Sequence, residues 1–237
     1  MDLIFPILVS LGVAVGHAVI VRSAKQDGLD VGRAHWMVFC IVATAFTAGA
    51  FAPIVYHPEF FEPGATIPLR PLGLSSFGGL LGAMAGAVIY VRAARMDRVT
   101  AWRYWNLVGY AFPFGWFFGR LACSIVHDHP GVRATGLFTH FFPDGRRDDL
   151  GRIELVVFVV PICAWFWWLR SSRRSRANFP ALFLLLYAPF RLWLDLLREN
   201  PPRYAGVTVD QIGVLITLVL GVWMYRAYPT SPARRER

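Results

Sequence analysis

Charged side chains are scarce in this 237-residue sequence, making up 16% of it against 56% for hydrophobic residues. Soluble globular proteins usually carry about 25% charged residues, so this chain has too few to cover a water-exposed surface. The scarcity excludes an ordinary soluble domain. Aromatic side chains are abundant instead, with nine Trp and nineteen Phe, as expected of helices that face lipid and its two interfaces.

Cysteine and lysine are also scarce. The three cysteines, Cys40, Cys123 and Cys163, lie in separate apolar runs, which excludes a disulfide framework and a cysteine-pair zinc motif. We interpret Cys40 and Cys163 as small apolar packing residues. The net charge of +9 comes almost entirely from arginines in short clusters between apolar runs. This pattern argues against a nucleic-acid partner.

Long apolar runs recur along the whole chain. About 20 helical residues are needed to cross the hydrocarbon core of a membrane. Seven runs of suitable length predict transmembrane helices at Leu3–Val21, His35–Tyr56, Leu72–Arg92, Trp102–Val126, Ile153–Leu169, Phe179–Leu197 and Val207–Tyr225. We therefore predict an all-α, polytopic membrane protein in which residues 1–237 form a single transmembrane domain.

The basic residues are distributed unevenly between these predicted helices. Fifteen of the 24 lysines and arginines follow the first, third, fifth and seventh helices. Basic loops stay in the cytoplasm, so we expect the N-terminus outside and the C-terminus inside. The acidic, proline-rich loop His57–Pro71 and the long loop 127–152 then lie outside. We predict that residues 127–152 form a periplasmic cap over an outward-facing site, with a disordered loop as the alternative.

Two arginines lie within predicted helices. Arg120 and Arg191 each stand six residues before the outer end of their helix, which is about 9 Å below the outer boundary. An arginine inside a bilayer costs about 2.5–3.5 kcal/mol, so it is usually retained for pairing or for function. Because guanidinium groups bind phosphate well, two of them at one depth predict a phospholipid headgroup site.

The sixth predicted helix carries more polar residues on the face of Arg191. Tyr187, Arg191, Asp195 and Arg198 are four, four and three residues apart, which places them on one stripe of the helix. Asp195 is expected to pair with Arg191 as an i,i+4 neighbour. Glu154 enters the membrane at the outer end of the fifth helix. For Asp195 and Glu154 the alternative is an ion-pair network that only holds helices together.

Six short segments also form an ordered series along the chain. They are Lys25–Asp30, Tyr56–Phe61, Leu74–Gly82, the segment headed by Gly119-Arg120, Glu154, and Tyr187–Arg191 with Asp195 and Arg198 after it. This series resembles the motifs of the prolipoprotein diacylglyceryl transferases. Members of that family are seven-span enzymes of the bacterial inner membrane, which move diacylglycerol from phosphatidylglycerol to the lipobox cysteine of a preprolipoprotein.

The resemblance implies an inner-membrane enzyme whose active site faces the periplasm. Its partners would be phosphatidylglycerol, membrane lipid and the signal peptide of a preprolipoprotein, and it would act as a monomer with no cofactor. Arg120 and Arg191 would bind the phosphate as catalytic groups, with Tyr187 beside them. The other residues expected at the headgroup are Gly78, Gly79, Glu154, Asp195 and Arg198.

The sequence departs from the family motifs where a proton acceptor is expected. Phe77 replaces the motif histidine, and Cys123 and Val126 stand where the signature has asparagines, while Asp128 stands where the family has its acid. A thiol has a pKa of about 8.5, so the transfer needs a base or a positive field. The candidate base is therefore His127, with Asp128 or His129 as substitutes.

The alternative for His127 and His129 is an interfacial or loop role. We predict no metal site, because side chains two residues apart do not face together on a helix and chelation would require an extended loop.

Two functions of other kinds remain open. The loss of the motif histidine at Phe77 favours a non-catalytic phospholipid-binding paralogue, and a transferase with a different acceptor is equally compatible with the motifs. A transporter has little support, since the sequence has no evident inverted repeat and its deep charges lie in the outer half rather than at the midplane.

Overall fold

The computed structural model describes residues 3–57, 60, 75–172, 177–199, 201 and 203–229, and this part of the chain is mostly helical. Its long helices are α1 Ile4–Gln26, α2 Val31–Phe51, α3 Ser76–Ala93, α4 Arg98–Val126, α5 Leu150–Ser171, α6 Phe179–Leu196 and α7 Val209–Ala227. A 3₁₀ turn, Ala52–Tyr56, extends α2.

Five of these helices, namely α1, α2, α5, α6 and α7, are long and apolar enough to cross a membrane. Large apolar side chains remain exposed on them: Trp36 and Phe39 are 62% exposed and Trp167 is 63% exposed. Contiguous exposed apolar surface of this kind is typical of contact with lipid. Helix α3 has a shorter apolar stretch, and α4 carries arginines along its 29 residues. The polytopic prediction is confirmed, while the number of seven spans stays a prediction.

Three helices begin earlier than the apolar runs predict, because an aspartate caps each of them; one is α5, which Asp149 caps and which starts at Leu150. The Asp30 carboxylate accepts a hydrogen bond from the Arg33 backbone N–H at 2.7 Å, so α2 starts at Val31. The Asp97 carboxylate accepts hydrogen bonds from the first turn of α4, which starts at Arg98. Such caps satisfy backbone donors that have no partner within the helix.

The helices pack most extensively in three pairs: α2 with α3, α1 with α4, and α6 with α7. Small residues allow the closest approach. A Cβ added at Gly82 of α3 would lie 2.4 Å from the carbonyl oxygen of Thr44 in α2. Helices in membranes commonly associate through small residues of this kind. The largest buried cluster joins α4, α5 and α6 around Phe158, Phe166 and Phe183.

The two ends of the helix bundle differ in composition. At one end, which we call the basic end, Arg170 pairs with Asp27 at 3.0 Å, and Arg98 donates to the carbonyl oxygen of Ala227 at 2.9 Å. These contacts join the ends of α1, α4, α5 and α7. The opposite end, which we call the sheet end, carries the polar segment between α4 and α5.

That segment is folded, contrary to the expectation of a purely α-helical chain. Strands β1 Pro130–Arg133, β2 Thr139–Phe142 and β3 Gly145–Asp149 form an antiparallel sheet in the order β1-β3-β2. Thr139 pairs with Asp148 and Phe142 with Gly145, so a tight turn joins β2 to β3. Arg147 in β3 contacts Asp144 and Glu199, and donates to the Gly131 carbonyl oxygen at 3.1 Å.

A second, two-stranded sheet precedes α7. Strands β4 Arg203–Tyr204 and β5 Val207–Thr208 are joined by Ala205 and Gly206, whose φ angles of +51° and +86° suit a two-residue hairpin turn. The Tyr204 hydroxyl donates to the Val55 carbonyl oxygen at 2.7 Å and so ties this sheet to the end of α2.

Some predicted features lie outside the described residues. They are most of the loop His57–Pro71, the start of the third span at Leu72, and several of the basic residues assigned to the cytoplasmic side, among them Arg173, Arg174, Arg176, Arg234, Arg235 and Arg237.

Candidate functional site

A buried carboxylate, that of Glu154, lies at the centre of a polar cluster between α4, α5 and α6. Arg120 Nη1 lies 3.1 Å from Glu154 Oε2, and Arg191 Nη1 lies 3.8 Å from the same oxygen. The Tyr187 hydroxyl donates to Glu154 Oε1 at 3.1 Å. Each of the four residues is less than 9% exposed. The structure thus brings together the two predicted arginines, the predicted tyrosine and the predicted glutamate.

An irregular turn of α5 positions Glu154. Residues Glu154–Val159 form a π-helical segment between two α-helical parts of α5. A π turn contains more residues than an α turn and is frequent at functional sites. Just before it, the carboxylate of Asp149 accepts a hydrogen bond from the Arg152 backbone N–H at 3.1 Å and caps the helix. Glu154 therefore lies about one helical turn after the start of α5, and its side chain points into the bundle.

The expected pairing of Arg191 with Asp195 is wrong. Arg191 Nη2 donates to Asp210 Oδ2 at 3.0 Å, and Arg198 Nη1 lies 2.6 Å from the same oxygen. Asp195 instead accepts a hydrogen bond from the Thr208 hydroxyl at 2.8 Å. The reason is that Thr208 begins α7 with a capping box, so the first turn of α7 brings Asp210 against Arg191.

Phe77, Gly78 and Gly79 lie in the first turn of α3, but only two of them are close to the site. The Phe77 ring lies 5.4 Å below the Arg191 guanidinium carbon and 6.3 Å from the Tyr187 ring. Gly79 lines a cavity described below. Gly78 packs against α2, where an added Cβ would lie 2.4 Å from the Cβ of Ala52. The lack of a side chain at Gly78 therefore allows α2 and α3 to pack closely at this position.

An apolar cavity of about 340 Å³ lies between α1, α2, α3 and α4. It extends from His17 on α1 to Arg120 and His129 at the sheet end. Most of its lining is apolar or small, including Val13, Ile41, Leu80, Phe112 and Gly115. The cavity is thus mainly apolar, and its charged groups, Arg120 and Asp128, lie at the sheet end.

The candidate base His127 terminates α4 and does not line this cavity. Its φ of +54° is left-handed, and its Nδ1 lies 2.6 Å from Asp149 Oδ2. The His127 ring stacks on His140 of β2 with a centroid distance of 3.6 Å. The carboxylate that orients His127 is thus Asp149, which is fully buried, rather than its neighbour Asp128.

Asp128 and His129 do line the cavity, together with Cys123. His129 Nε2 lies 3.7 Å from Asp128 Oδ1. Burial, followed by the positive charges of Arg120, Arg198 and Arg191, lowers the pKa of His129 to about 3. Burial raises the pKa of Asp128 above its usual value. The imidazole of His129 is therefore neutral at physiological pH.

Comparison with known proteins decides the family. Residues 4–227 match the family model for prolipoprotein diacylglyceryl transferase. The chain belongs to this family.

Individual relatives agree with this assignment. A phosphatidylglycerol–prolipoprotein diacylglyceryl transferase of Nitratidesulfovibrio vulgaris is 27% identical over 84% of this chain and 78% of its own length. The enzyme of the same name from Chromohalobacter salexigens is 30% identical, and that from Rhizobium meliloti is 26% identical. Each of these two matches covers 69% of this chain and 64% of the relative.

Membership of the prolipoprotein diacylglyceryl transferase family confirms the resemblance read from the six segments. It makes the chain a member of a family of transferases in lipoprotein biosynthesis, and the apolar helices make it a multi-pass membrane protein.

Sequence reasoning missed two residues of this transferase-family site, Asp210 and Asp149, which are the partners of Arg191 and His127. Cys123, which stands at a motif position, lies beside Arg120 with Sγ 4.0 Å from Nη1. One signal was available for Asp210, since it is a second acid at the outer end of a predicted span. Asp149 carries no comparable signal, because several other charged residues surround it in the sequence.

Proposed function

We propose that the chain is a phosphatidylglycerol–prolipoprotein diacylglyceryl transferase-like enzyme. It would transfer diacylglycerol from phosphatidylglycerol to the thiol of a lipobox cysteine in a preprolipoprotein signal peptide. The observation that carries the proposal is the convergence of Arg120, Arg191 and Tyr187 on Glu154, beside an apolar cavity that Arg120 also lines.

Glu154 illustrates how these three side chains bind an anionic oxygen group. Its two oxygens accept from Tyr187 and pair with both arginines. A phosphodiester offers similar oxygens, and guanidinium groups bind phosphate with strong, directional hydrogen bonds. Arg191 Nε, which is buried, has no hydrogen-bond partner among the described residues and remains available as a donor. Both arginines would therefore hold the phosphate while the acyl chains occupy the cavity.

The same groups favour the transition state of the transfer. The acceptor sulfur forms a bond to C3 of the glycerol that carries the acyl chains, while the bond from C3 to the phosphate oxygen breaks. The electron pair of that bond stays on the phosphate, which leaves as glycerol phosphate. Negative charge grows on the leaving oxygen, and fixed cations such as Arg120 and Arg191 stabilise it.

The proton of the acceptor thiol needs a destination. We propose His127 as the base, because the buried carboxylate of Asp149 fixes its orientation at 2.6 Å. Gly79, Glu154, Asp195 and Arg198 complete the headgroup site in this proposal, and Gly78 supports it by allowing α2 and α3 to pack closely.

The proposed location is the bacterial inner membrane, with the N-terminus outside and the C-terminus in the cytoplasm. The basic end would face the cytoplasm and the sheet end the periplasm, in agreement with the positive-inside rule. Residues 127–152 would then form a periplasmic cap, and the chain would act as a monomer. This orientation places Arg120 and Arg191 at the depth of the outer-leaflet headgroups.

A non-catalytic phospholipid-binding role is the second candidate. It is favoured by Phe77, which is 7% exposed and packs on Ala188 and Val214 where the family motif has a histidine. Such a protein would bind phosphatidylglycerol but form no product.

One experiment separates the two candidates. Purified protein in micelles that contain phosphatidylglycerol is incubated with a synthetic lipobox peptide, and mass spectrometry detects the diacylglyceryl adduct. We expect the adduct with the wild type, its loss with Arg120→Ala and Arg191→Ala, and its retention with Arg133→Ala. Arg133 is an exposed arginine of β1 and serves as the matched control.

The outcomes are distinct. If no adduct forms but native mass spectrometry still detects bound phosphatidylglycerol, the non-catalytic phospholipid-binding role is correct and the transferase function is wrong. An adduct that survives Arg191→Ala would contradict the phosphate-binding role. Loss with His127→Ala, in a protein that still binds lipid, would support the base.

A further inference from the structure

Three potential metal ligands lie together at the sheet end of the cavity. The Cys123 thiol, one Asp128 carboxylate oxygen and one His129 ring nitrogen all lie within 4.8 Å of one another. Asp128 Oδ1 and His129 Nε2 are 3.7 Å apart. In a tetrahedral zinc site with bonds of about 2.0–2.3 Å, neighbouring ligand atoms are roughly 3.3–3.8 Å apart. The Asp128–His129 distance already fits this range, and the 4.8 Å limit on the other separations leaves a contraction of at most about 1.5 Å to complete such a site.

We propose that Cys123, Asp128 and His129 bind a Zn²⁺ ion whose open coordination position faces the lipid cavity and receives the acceptor thiol. The metal site itself stands on the geometry of these three residues. The role of the ion in the transfer rests on the proposed transferase function. The ion would activate the acceptor thiol, which the phenyl ring of Phe77 cannot do.

The end of α4 explains how these residues meet. His127 is left-handed, with φ of +54°, and its N–H donates to the Cys123 carbonyl oxygen at 2.9 Å. A left-handed residue ends a helix and reverses the chain direction. Asp128 and His129 consequently return toward the last turn of α4, where Cys123 lies. The prediction of no metal site was based on side chains along a continuing helix. The left-handed turn at His127 instead brings Asp128 and His129 close to Cys123.

The ligand atoms favour zinc over other common ions. A thiolate, an imidazole and a carboxylate are typical zinc ligands, whereas Mg²⁺ and Ca²⁺ are usually bound by oxygen alone. Three protein ligands with one open position are characteristic of catalytic zinc sites. All three residues line the cavity, so the open position would face the bound phospholipid.

The surrounding charges are compatible with a divalent ion. The Cys123 thiolate and the Asp128 carboxylate together balance its two positive charges. Arg120 Nη1 lies 4.0 Å from Cys123 Sγ, which favours the thiolate. Arg120, Arg191 and Arg198 would repel the metal. This repulsion is reduced, because Glu154 pairs with Arg120 at 3.1 Å and Asp210 pairs with both Arg191 and Arg198.

The metal would act on the acceptor. On coordination the acceptor thiol would lose its proton to His127, the base proposed above, and bind as a thiolate. Its sulfur then forms the bond to glycerol C3, and the electron pair of the broken C3–O bond leaves with glycerol phosphate. The thioether product is neutral and binds zinc more weakly than a thiolate, so product release follows. Arg120 and Arg191 keep their role as phosphate ligands.

The first measurement is the zinc content of the purified protein, and transferase activity is measured afterwards. The full chain is purified in detergent after growth with zinc, and the zinc content per chain is determined by mass spectrometry of the metal. We expect about one zinc per wild-type chain and a loss of at least about tenfold in Cys123→Ser and in His129→Ala. Cys163→Ser, which removes a thiol from α5, should keep its zinc.

Cobalt substitution supplies an independent readout. Co²⁺ in place of zinc should give a thiolate-to-metal charge-transfer band in the wild type and in Cys163→Ser, and none in Cys123→Ser. Size-exclusion chromatography verifies that each variant is folded. If Cys123→Ser aggregates, the zinc content of His129→Ala is compared with that of the wild type instead, because the native His129 side chain is partly exposed.

The metal site and the transferase function fail in different ways. Equal zinc contents in the wild type, Cys123→Ser and His129→Ala would overturn the metal site, even if the peptide adduct forms. Bound zinc without any adduct would overturn the transferase function and leave the site standing. Adduct formation that stops with a chelator and returns with added zinc would support both.

Discussion

At the scale of single residues, Glu154 is a buried charge that depends on three partners. It is 1% exposed, and two arginines and a tyrosine share its two oxygens. Removing one partner of a buried ion pair costs about 3–5 kcal/mol, because the remaining charge stays desolvated. Glu154 therefore stabilises the fold and also fixes the direction of both phosphate-binding groups.

We expect Glu154→Gln to lower the unfolding temperature of the purified protein clearly, since Arg120 and Arg191 would lose their shared counter-charge. The change in the free energy of unfolding should approach about 3 kcal/mol. Excess phosphatidylglycerol should restore part of the loss, because its phosphate can replace the missing charge. Thermal unfolding in detergent, with and without the lipid, measures both effects.

Glu199→Gln is the matched control. Glu199 also pairs with an arginine, Arg147, but it is 45% exposed. Such a pair contributes about 0–1 kcal/mol, so its removal should barely change the unfolding temperature. Equal shifts in the two variants would contradict the central position assigned to Glu154.

The arginines of the site were predictable from sequence and their partners were not. Arg120 and Arg191 stand out because charge is rare inside apolar runs. Their neighbours along the helix suggested Asp195, the nearest acid on the same stripe. The actual partner, Asp210, is 19 residues away from Arg191, and Asp149 is 22 residues away from His127. Contacts between elements of this kind depend on how the helices pack, which helix periodicity does not specify.

At the scale of elements, the packing of α2 on α3 depends on glycines. A Cβ at Gly82 would lie 2.4 Å from the backbone oxygen of Thr44, and a Cβ at Gly86 would lie 2.6 Å from that of Cys40. Backbone atoms cannot move away as a side chain can. The two helices would have to separate.

We therefore expect Gly82→Ala to destabilise the protein by about 1–3 kcal/mol, as overpacking does in other cores. Gly119→Ala is the control: it also lies in a helix, but an added Cβ there meets no atom within 4 Å. Since alanine favours helix over glycine by about 0.8–1 kcal/mol, this variant should be neutral or more stable. Unfolding temperatures in one detergent provide the comparison, and a loss of stability in Gly119→Ala alone would reverse the interpretation.

The long helices were predictable because each one is a largely apolar run. Aspartate caps move the starts of α2, α4 and α5 earlier than predicted, and the hairpin before α7 moves its start from Val207 to Val209. The strands were not predicted. Segments β1 to β3 are short, rich in charge and interrupted by turns, so they show little of the alternation that identifies a strand. Their order depends on pairing across the sheet, with β3 between β1 and β2.

At the scale of the whole molecule, the two ends of the bundle are chemically different, and the proposed orientation can be measured directly. In a background with Cys40→Ser and Cys163→Ser, which keeps the buried Cys123 and serves as the control, one exposed cysteine is introduced as Leu137→Cys at the sheet end or as Ser171→Cys at the basic end. Leu137 is 87% exposed, and Ser171 is exposed at the end of α5.

We expect a membrane-impermeant maleimide to label Leu137→Cys in intact spheroplasts, because the sheet end should face the periplasm. Ser171→Cys should be labelled only after the membrane is permeabilised. The opposite labelling pattern would show that the orientation of the protein is inverted, with the arginine cluster in the cytoplasmic leaflet.

The π-helical segment Glu154–Val159 makes the length of α5 a determinant of its chemistry. Deleting one residue from this segment would convert it to a regular α-helix with little net rotation, because a π turn holds one residue more than an α turn. Deleting one residue from the α-helical part Val160–Ser171 would instead rotate Glu154 by about 100° and turn it away from Arg120, although every residue that forms the cluster is still present. The effect of a single-codon deletion would thus depend on which part of α5 loses the residue.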